Sequence, residues 1–167
     1  MTVADLLTDA FGRIQHLVTS TVTGLDSEQL AFRPKPEANS IGWLIWHLTR
    51  VQDDHIADAA GTEQVWTGRG WHDRLGLPFD AADTGYGHGS QQVSALRISQ
   101  PELLIGYHDA VYQRTAEFVA SLTDAELGRV VDEAWDPPVT LGVRLVSVLG
   151  DDWQHVGQAA YLKGLLD

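Results

Sequence analysis

The sequence predicts an all-helical fold, a bundle of four long helices, and three observations lead to this prediction. Four long segments repeat apolar residues at the spacing of an amphipathic helix. Residues that favour helix caps flank these segments, and little of the remaining chain has the pattern of a strand. The 167 residues, of which 44% are hydrophobic, can bury a core, so residues 1–167 are expected to form one domain.

The first long helix is predicted over residues 2–22, and Gly24 is placed to end it. Its apolar side chains fall on one face: Leu6, Leu7, Phe11, Ile14, Leu17 and Val18. A short helical turn with Asp26 as N-cap follows, before two prolines break the helical geometry.

The second long helix is predicted over residues 41–60. Asn39 or Ser40 can cap its N-terminus, and Gly61 can close it. Its first half is apolar almost all round, which is typical of a central helix.

The stretch from residue 61 to residue 90 differs in composition from the rest of the chain. It holds seven glycines together with Trp66, Trp71 and Tyr86. Flexible linkers lack so many large aromatic side chains, and long loops inside domains tend to be functional. We therefore expect an ordered excursion that packs over another part of the molecule, with a helical turn near residues 73–75.

A third long helix is predicted over residues 101–121. Ser99 is expected as its N-cap, with Glu102 completing a capping box and Pro101 in the first turn. Residues 130–135 are prone to form a short strand.

The last long helix is predicted over residues 141–166, with Thr140 as its N-cap. It carries two ligand-type residues, Asp151 and His155, at a spacing of four, which places both on one face. Such a pair can chelate a metal ion, as the two histidines of a zincin helix do. The alternative is a carboxylate–imidazole ion pair on the surface.

His47 lies in the apolar second helix and is expected to be buried. A buried imidazole needs a polar partner. That partner is either a backbone carbonyl, as for an ordinary core histidine, or a metal ion shared with a facing helix.

Composition narrows the classes of function. There is no cysteine, so disulfides, thiolate metal ligands and cysteine nucleophiles are excluded. The net charge of −12 argues against nucleic acid and anionic membranes as partners. The N-terminus has no basic and apolar signal-peptide pattern, so a cytoplasmic protein is expected.

Two short motifs resemble a known family. The segment 155–162, HVGQAAYL, resembles the last-helix signature of the DinB-like superfamily, and the segment 39–48, NSIGWLIWHL, resembles its second-helix motif. The resemblance implies a four-helix bundle of DinB-like type. Relatives include mycothiol-dependent maleylpyruvate isomerase and the bacillithiol or glutathione transferases.

The resemblance also implies a metal site. In that superfamily a triad, usually of histidines, binds Zn or Ni, and the matching positions here are His47, Asp151 and His155. Asp151 stands where the common pattern has histidine. A site of two imidazoles and one carboxylate also suits Fe, and the carboxylate favours binding of a hard metal such as Mn over what three imidazoles would allow.

Further residues are expected near the triad. Asp54 lies two turns beyond His47 on the same helix face, and His55 lies near the edge of that face, so both are candidate catalytic residues. The alternative for Asp54 is a solvated helix surface. Four residues are candidates for binding substrate: Gln158, His108, Trp43 and Tyr107. His108 has the alternative of an ordinary exposed residue, and tryptophans are more often part of a core.

The sequence leaves four possibilities for the function open. The first is a metal-dependent transferase or isomerase that uses a low-molecular-weight thiol such as mycothiol, since the chain has no thiol of its own. The second is a metal–water hydrolase with Asp54 or His55 as the base. The third is a non-catalytic metal or small-ligand binding protein, and the fourth is that no metal binds. Helical bundles often pair along exposed apolar faces, so a homodimer is also expected.

Overall fold

The computed structural model describes residues 1–166, and most of them are helical. In chain order the helices are α1 (Val3–Val22), α2 (Ser27–Ala31), α3 (Ile41–Ala60), α4 (Val65–Gly68), α5 (Trp71–Leu75), α6 (Ser90–Ala95), α7 (Pro101–Ala120) and α8 (Leu141–Lys163). A 3-10 helix (Asp124–Gly128) and two strands, β1 (Val130–Asp132) and β2 (Val139–Thr140), lie between α7 and α8. The prediction of an all-helical bundle is confirmed.

The four long helices form a ring in which α3 packs mainly against α8 and α1 against α7. Two side-chain hydrogen bonds, Thr49–His108 and Gln52–Thr115, show that α3 and α7 run parallel. The residues between them must therefore cross the length of the bundle. Helices α3 and α8 run antiparallel, which brings the middle of the second long helix beside the ligand-type residues of the last one.

Most helix ends follow the predicted caps. Side chains of Asp26, Ser40 and Thr140 accept backbone N–H bonds at the starts of α2, α3 and α8. The prediction of Ser99 as the cap of α7 is wrong, because the cap residue is Gln100, which makes no side-chain cap bond. Pro101 at the first helical position has the φ of a helix and no N–H to satisfy, so the helix begins there without the capping box.

The glycine-rich excursion is ordered, as expected, and packs on the α3–α7 side of the bundle. Trp66 and Trp71 are buried, with ring centroids 5.0 Å and 5.8 Å from that of Tyr107 in α7. The Asp53 carboxylate of α3 accepts the backbone N–H groups of Val65 and Trp66 and so fixes the start of α4. The predicted turn near residues 73–75 belongs to α5.

The β-prone stretch forms a small antiparallel hairpin of β1 and β2 beside α8. Its Asp132 carboxylate accepts a bond of 2.8 Å from Arg144 Nη2 of α8. The hairpin therefore closes one side of the region between α3 and α8. None of the described helices combines the length and the hydropathy of a membrane-spanning segment.

Candidate metal centre

The structure brings His47, Asp151 and His155 together. Each offers one ligand atom, and the three atoms all lie within 4.8 Å of one another. His47 comes from the buried middle of α3, whereas Asp151 and His155 are half-buried and lie one turn apart on the facing side of α8. A His/Asp/His group of this kind could hold a metal ion.

Both histidines are held through the Nδ1 atom. His47 Nδ1 donates to the carbonyl oxygen of Thr84 at 2.6 Å, and His155 Nδ1 donates to Oε1 of Gln158 at 2.9 Å. A proton on Nδ1 of a neutral imidazole leaves the lone pair on Nε2. Carbonyl partners on the second ring nitrogen are the arrangement that orients metal-binding histidines.

Asp151 supplies an independent test of whether the residues fit a metal. Its Oδ1 lies 3.5 Å from His155 Nε2. Its Oδ2 is buried and has no hydrogen-bond partner among the described residues. A buried carboxylate oxygen without a partner is costly, and a cation between the three side chains would satisfy it. The donor set therefore fits a divalent metal.

The protonation of the two histidines differs. Burial lowers the pKa of His47, so its imidazole is neutral and available as a ligand near neutral pH. The hydrogen bond to Asp151 raises the pKa of His155. A proton on His155 therefore competes with a metal ion, and metal affinity is expected to fall as the pH falls.

The loop that carries the Thr84 carbonyl approaches α3 closely. Gly85 has a φ of +88°, and a Cβ added there would lie 2.9 Å from both His47 Nδ1 and a ring carbon of Trp46. Only glycine combines this backbone conformation with this close approach. Gly85 thus allows the backbone of this loop to reach His47.

His88 anchors the same loop. Its Nε2 donates to Asp83 Oδ2 at 2.9 Å, and its Nδ1 accepts from Trp43 Nε1 at 3.1 Å. The Trp43 ring stacks on His47 with centroids 4.6 Å apart and meets the edge of His155 at 6.3 Å. Trp43 is buried and packs against His47 and His155 on the core side. It is not among the residues of the open cleft beside them.

That cleft has a volume of about 450 Å³ and opens beside the triad. Its walls are formed by His47, Val51, Asp54, His55, Thr84, Tyr86, Trp135, Arg144, Ser147 and Asp151. Tyr86 and Trp135 are largely exposed. Both candidate catalytic residues, Asp54 and His55, therefore lie in the same cleft as two of the three triad side chains.

Asp54 and His55 differ in the atoms they leave free. Asp54 Oδ1 accepts a bond of 2.7 Å from Gln64, and its Oδ2 makes no hydrogen bond within the described residues. His55 Nδ1 accepts from Arg144 Nη1 at 2.9 Å. Burial and, after it, the Arg144 charge lower the pKa of His55. Asp54 thus has the free acceptor, whereas the acceptor nitrogen of His55 is occupied.

Sequence reasoning did not select Arg144, Ser147 or Thr84. Arg144 and Ser147 lie seven and four residues before Asp151, so the helical spacing could have indicated them. Thr84 contributes a backbone atom from a loop, and no sequence pattern indicates it.

The candidate substrate-binding residues are placed differently from one another. Gln158 is exposed and contacts His155. Tyr107 and His108, which were expected to line the pocket, lie in the core instead. The Tyr107 hydroxyl donates to buried Asp53, and His108 Nδ1 is bonded to Thr49 Oγ1. The side of α7 that carries them faces α3 and the tryptophans of the excursion, away from the cleft.

Comparison with known proteins identifies the family and the fold. The profile of the DinB superfamily matches residues 10–159. A crystal structure described as that of a conserved protein from Enterococcus faecalis is similar, with a TM-score of 0.89 and 27% identity over 98% of this chain and 96% of that chain. A search of curated proteins found no match. The match covers nearly all of the bundle and includes the triad, and the chain belongs to the DinB superfamily.

Proposed function

We propose that this protein is a divalent-metal-dependent enzyme that acts on a small molecule in the cleft beside His47, Asp151 and His155. The observation that carries the proposal is the triad itself, with both Nδ1 atoms held by carbonyl oxygens and Asp151 Oδ2 left without a partner. A bound metal would act as a Lewis acid that lowers the pKa of a thiol or a water molecule. Zn or Ni are the first candidates, and Fe or Mn remain compatible with the carboxylate.

The protein's own residues would position and shield the reactants. Arg144 is the cation of the cleft and can orient an anionic group, although Asp132 shares its charge. The rings of Tyr86 and Trp135 can cover an apolar part of the substrate. Asp54 has a free carboxylate oxygen that can accept a proton.

The thiol version is the main proposal. The chain has no cysteine, so a thiol nucleophile must come from a low-molecular-weight cofactor. Support for mycothiol or a related thiol comes from the superfamily resemblance. In a transfer, the thiol would lose its proton to solvent and the thiolate would form a C–S bond while a leaving group such as halide departs. In an isomerisation, the thiolate would add to a conjugated double bond and be expelled again after rotation about the resulting single bond, so that the thiol is regenerated.

The test is thiol-dependent turnover. Protein loaded with Zn or Ni is mixed with a fluorogenic alkyl halide and with mycothiol, bacillithiol or glutathione. The proposal predicts conjugation above the uncatalysed rate with at least one thiol, and loss of that rate in Asp151→Ala. No thiol-dependent turnover with any of the three thiols in fully metal-loaded protein would contradict the thiol version.

Hydrolysis is the second candidate, and the free Oδ2 of Asp54 in the cleft favours it. It predicts cleavage of p-nitrophenyl esters without any thiol. Asp54→Asn should lower kcat by roughly 100-fold or more, whereas His55→Gln should have a smaller effect because its acceptor nitrogen already bonds Arg144. Full metal loading without turnover in either assay would leave a metal-binding protein.

A further inference from the structure

The outward face of α8 carries no charged side chain. The exposed positions of this helix, all of which the structure describes, are Val143, Val146, Ser147, Trp153, Gln154, Gly157, Gln158, Ala160 and Tyr161. The protein as a whole has a net charge of −12. A long solvent-facing helix surface without charge is therefore unusual for this chain, and depletion of charge is characteristic of the core of an interface.

Most apolar members of this face, together with the half-buried Gly150, form one stripe, which we call the α8 stripe: Val143, Val146, Gly150, Trp153, Gly157 and Tyr161. Successive members are three or four residues apart, so they follow one line along the helix. The stripe points away from the core, because core residues such as Leu145, Val148 and Val156 lie on the other side of α8. Among the described residues, Val143, Val146 and Tyr161 are mostly exposed, whereas Trp153 is partly covered and lines a groove with residues of α1.

The order of large and small residues along the stripe is self-complementary. If the helix is laid antiparallel on a copy of itself in one register, Val146 lies opposite Gly157, Gly150 opposite Trp153, and Val143 opposite Ala160, which is also exposed. A Cβ added at Gly150 or Gly157 would meet nothing within 4 Å, so the space beside each glycine is open to a bulky side chain. Two-fold symmetry requires a surface that complements itself in this way.

The four large side chains of the stripe expose about half of the area that a stable dimer interface buries on each partner. Val143, Val146, Trp153 and Tyr161 are 58%, 68%, 40% and 69% exposed. At about 150–250 Å² for each large side chain, these fractions amount to roughly 400 Å² per copy. A stable interface buries about 800 Å² per partner, and the small and amide residues between the four can supply much of the rest. The Asp9–Arg13 ion pair of α1 lines a groove with Trp153 and would lie at a polar rim.

We propose that the α8 stripe binds a second copy of this chain, with the two α8 helices antiparallel. A second copy is the occupant that the reversed pattern of large and small residues fits. The absence of charge on this face also lets two strongly acidic chains meet with the least repulsion. The stripe lies beside the metal centre and does not contain it, so the dimer and the enzyme activity are separate proposals.

The first test is the oligomeric state, measured by light scattering on the eluting protein and by sedimentation equilibrium. Wild type should have the mass of two chains, and Val146→Glu should weaken dimerisation at least tenfold. Gln113→Glu places the same charge on an exposed position of α7 and should leave the dimer intact. A monomeric wild type overturns the proposal, including a monomer that binds phosphatidylcholine vesicles through this face. Equal effects of the two variants also overturn it.

The second test concerns the antiparallel arrangement. Because the chain has no cysteine, Val146→Cys and Gly157→Cys can be made as single-thiol proteins. Mild oxidation of a mixture of the two should give a disulfide-linked dimer that neither forms alone, since the two positions meet only across the axis. A mixture of Val146→Cys with Gln113→Cys should stay unlinked. Linking in that control, or none between positions 146 and 157, overturns the arrangement.

Discussion

At the scale of single residues, the candidate metal centre depends on groups that hold the ligands as well as on the ligands. His47 is oriented by a backbone carbonyl and His155 by the Gln158 side chain. Such partners fix the tautomer and the ring orientation of a ligand histidine. The two supports differ in origin, since one comes from a distant loop and the other from the next turn of the same helix.

Gln158→Leu removes one of these supports and is expected to weaken metal binding by about 10- to 100-fold while leaving the fold intact. The residue is exposed, so the loss of stability should be small. Competition with a chromophoric chelator measures the affinity. Gln154→Leu, the same change on the same helix without a contact to the triad, is the control. Equal affinities of the two variants would contradict the role given to Gln158.

The ligand positions could be predicted from sequence because Asp151 and His155 share a helix face and because His47 stands in an apolar helix. The resemblance to the superfamily indicated that His47, Asp151 and His155 belong to one metal site. The Thr84 carbonyl could not be predicted, since it depends on the path of a loop through Gly85. The sequence places Tyr107 and His108 on the third long helix but does not fix which side of that helix faces the cleft. In the structure both side chains lie in the core.

At the scale of helices and loops, α3 anchors the glycine-rich excursion of residues 61–90 through buried polar contacts. The Asp53 carboxylate binds two backbone N–H groups at the start of α4 and the Tyr107 hydroxyl, and it lies 3.7 Å from Arg50 Nη1. Arg50 and Asp53 are both buried. Burial raises the pKa of Asp53, and the backbone bonds oppose that shift.

Asp53→Ala is expected to lower the free energy of unfolding by about 3–5 kcal/mol, because it leaves Arg50 buried without its counter-charge. Asp54→Ala is the matched control, since that neighbouring carboxylate is partly exposed and makes one side-chain bond to Gln64. Urea unfolding measures both. A loss for Asp53→Ala no larger than that for Asp54→Ala would show that the buried cluster is not a main anchor of the excursion.

The long helices and most of their caps could be predicted because periodicity and capping chemistry are local. Helices α4 and α6 could not, since four to six residues carry too little periodicity and α4 depends on the distant Asp53. The error at Ser99 arose because Ser99 and Glu102 match a capping box, whereas the observed cap residue, Gln100, has no capping pattern that the sequence could show.

At the scale of the whole molecule, the buried His108 links stability to pH. Burial lowers its pKa to about 4 from 6.5, so the folded state keeps the imidazole neutral where the unfolded chain begins to bind a proton. Its contribution to stability is complete above the unfolded pKa and is lost as the pH falls from 6.5 towards 4.

The wild type is therefore expected to lose up to about 3 kcal/mol more stability than His108→Gln between neutral pH and about pH 4. Urea unfolding of both proteins at several pH values measures this difference. The loss of the bond between His108 and Thr49 lowers the stability of the variant at every pH. Only the pH dependence of the stability difference therefore reports the protonation of His108. Parallel pH profiles of the two proteins would contradict the assignment.

The metal content of untagged protein, measured by mass spectrometry, tests most directly whether α3 and α8 together hold a divalent metal ion. Near-stoichiometric Zn, Ni, Fe or Mn is expected in wild type and in His16→Ala, which changes an exposed histidine of α1. His47→Ala and Asp151→Ala should lose the metal while circular dichroism shows an intact fold. Equal and low metal in all four proteins would contradict the claim and leave Asp151 and His155 as an ion pair.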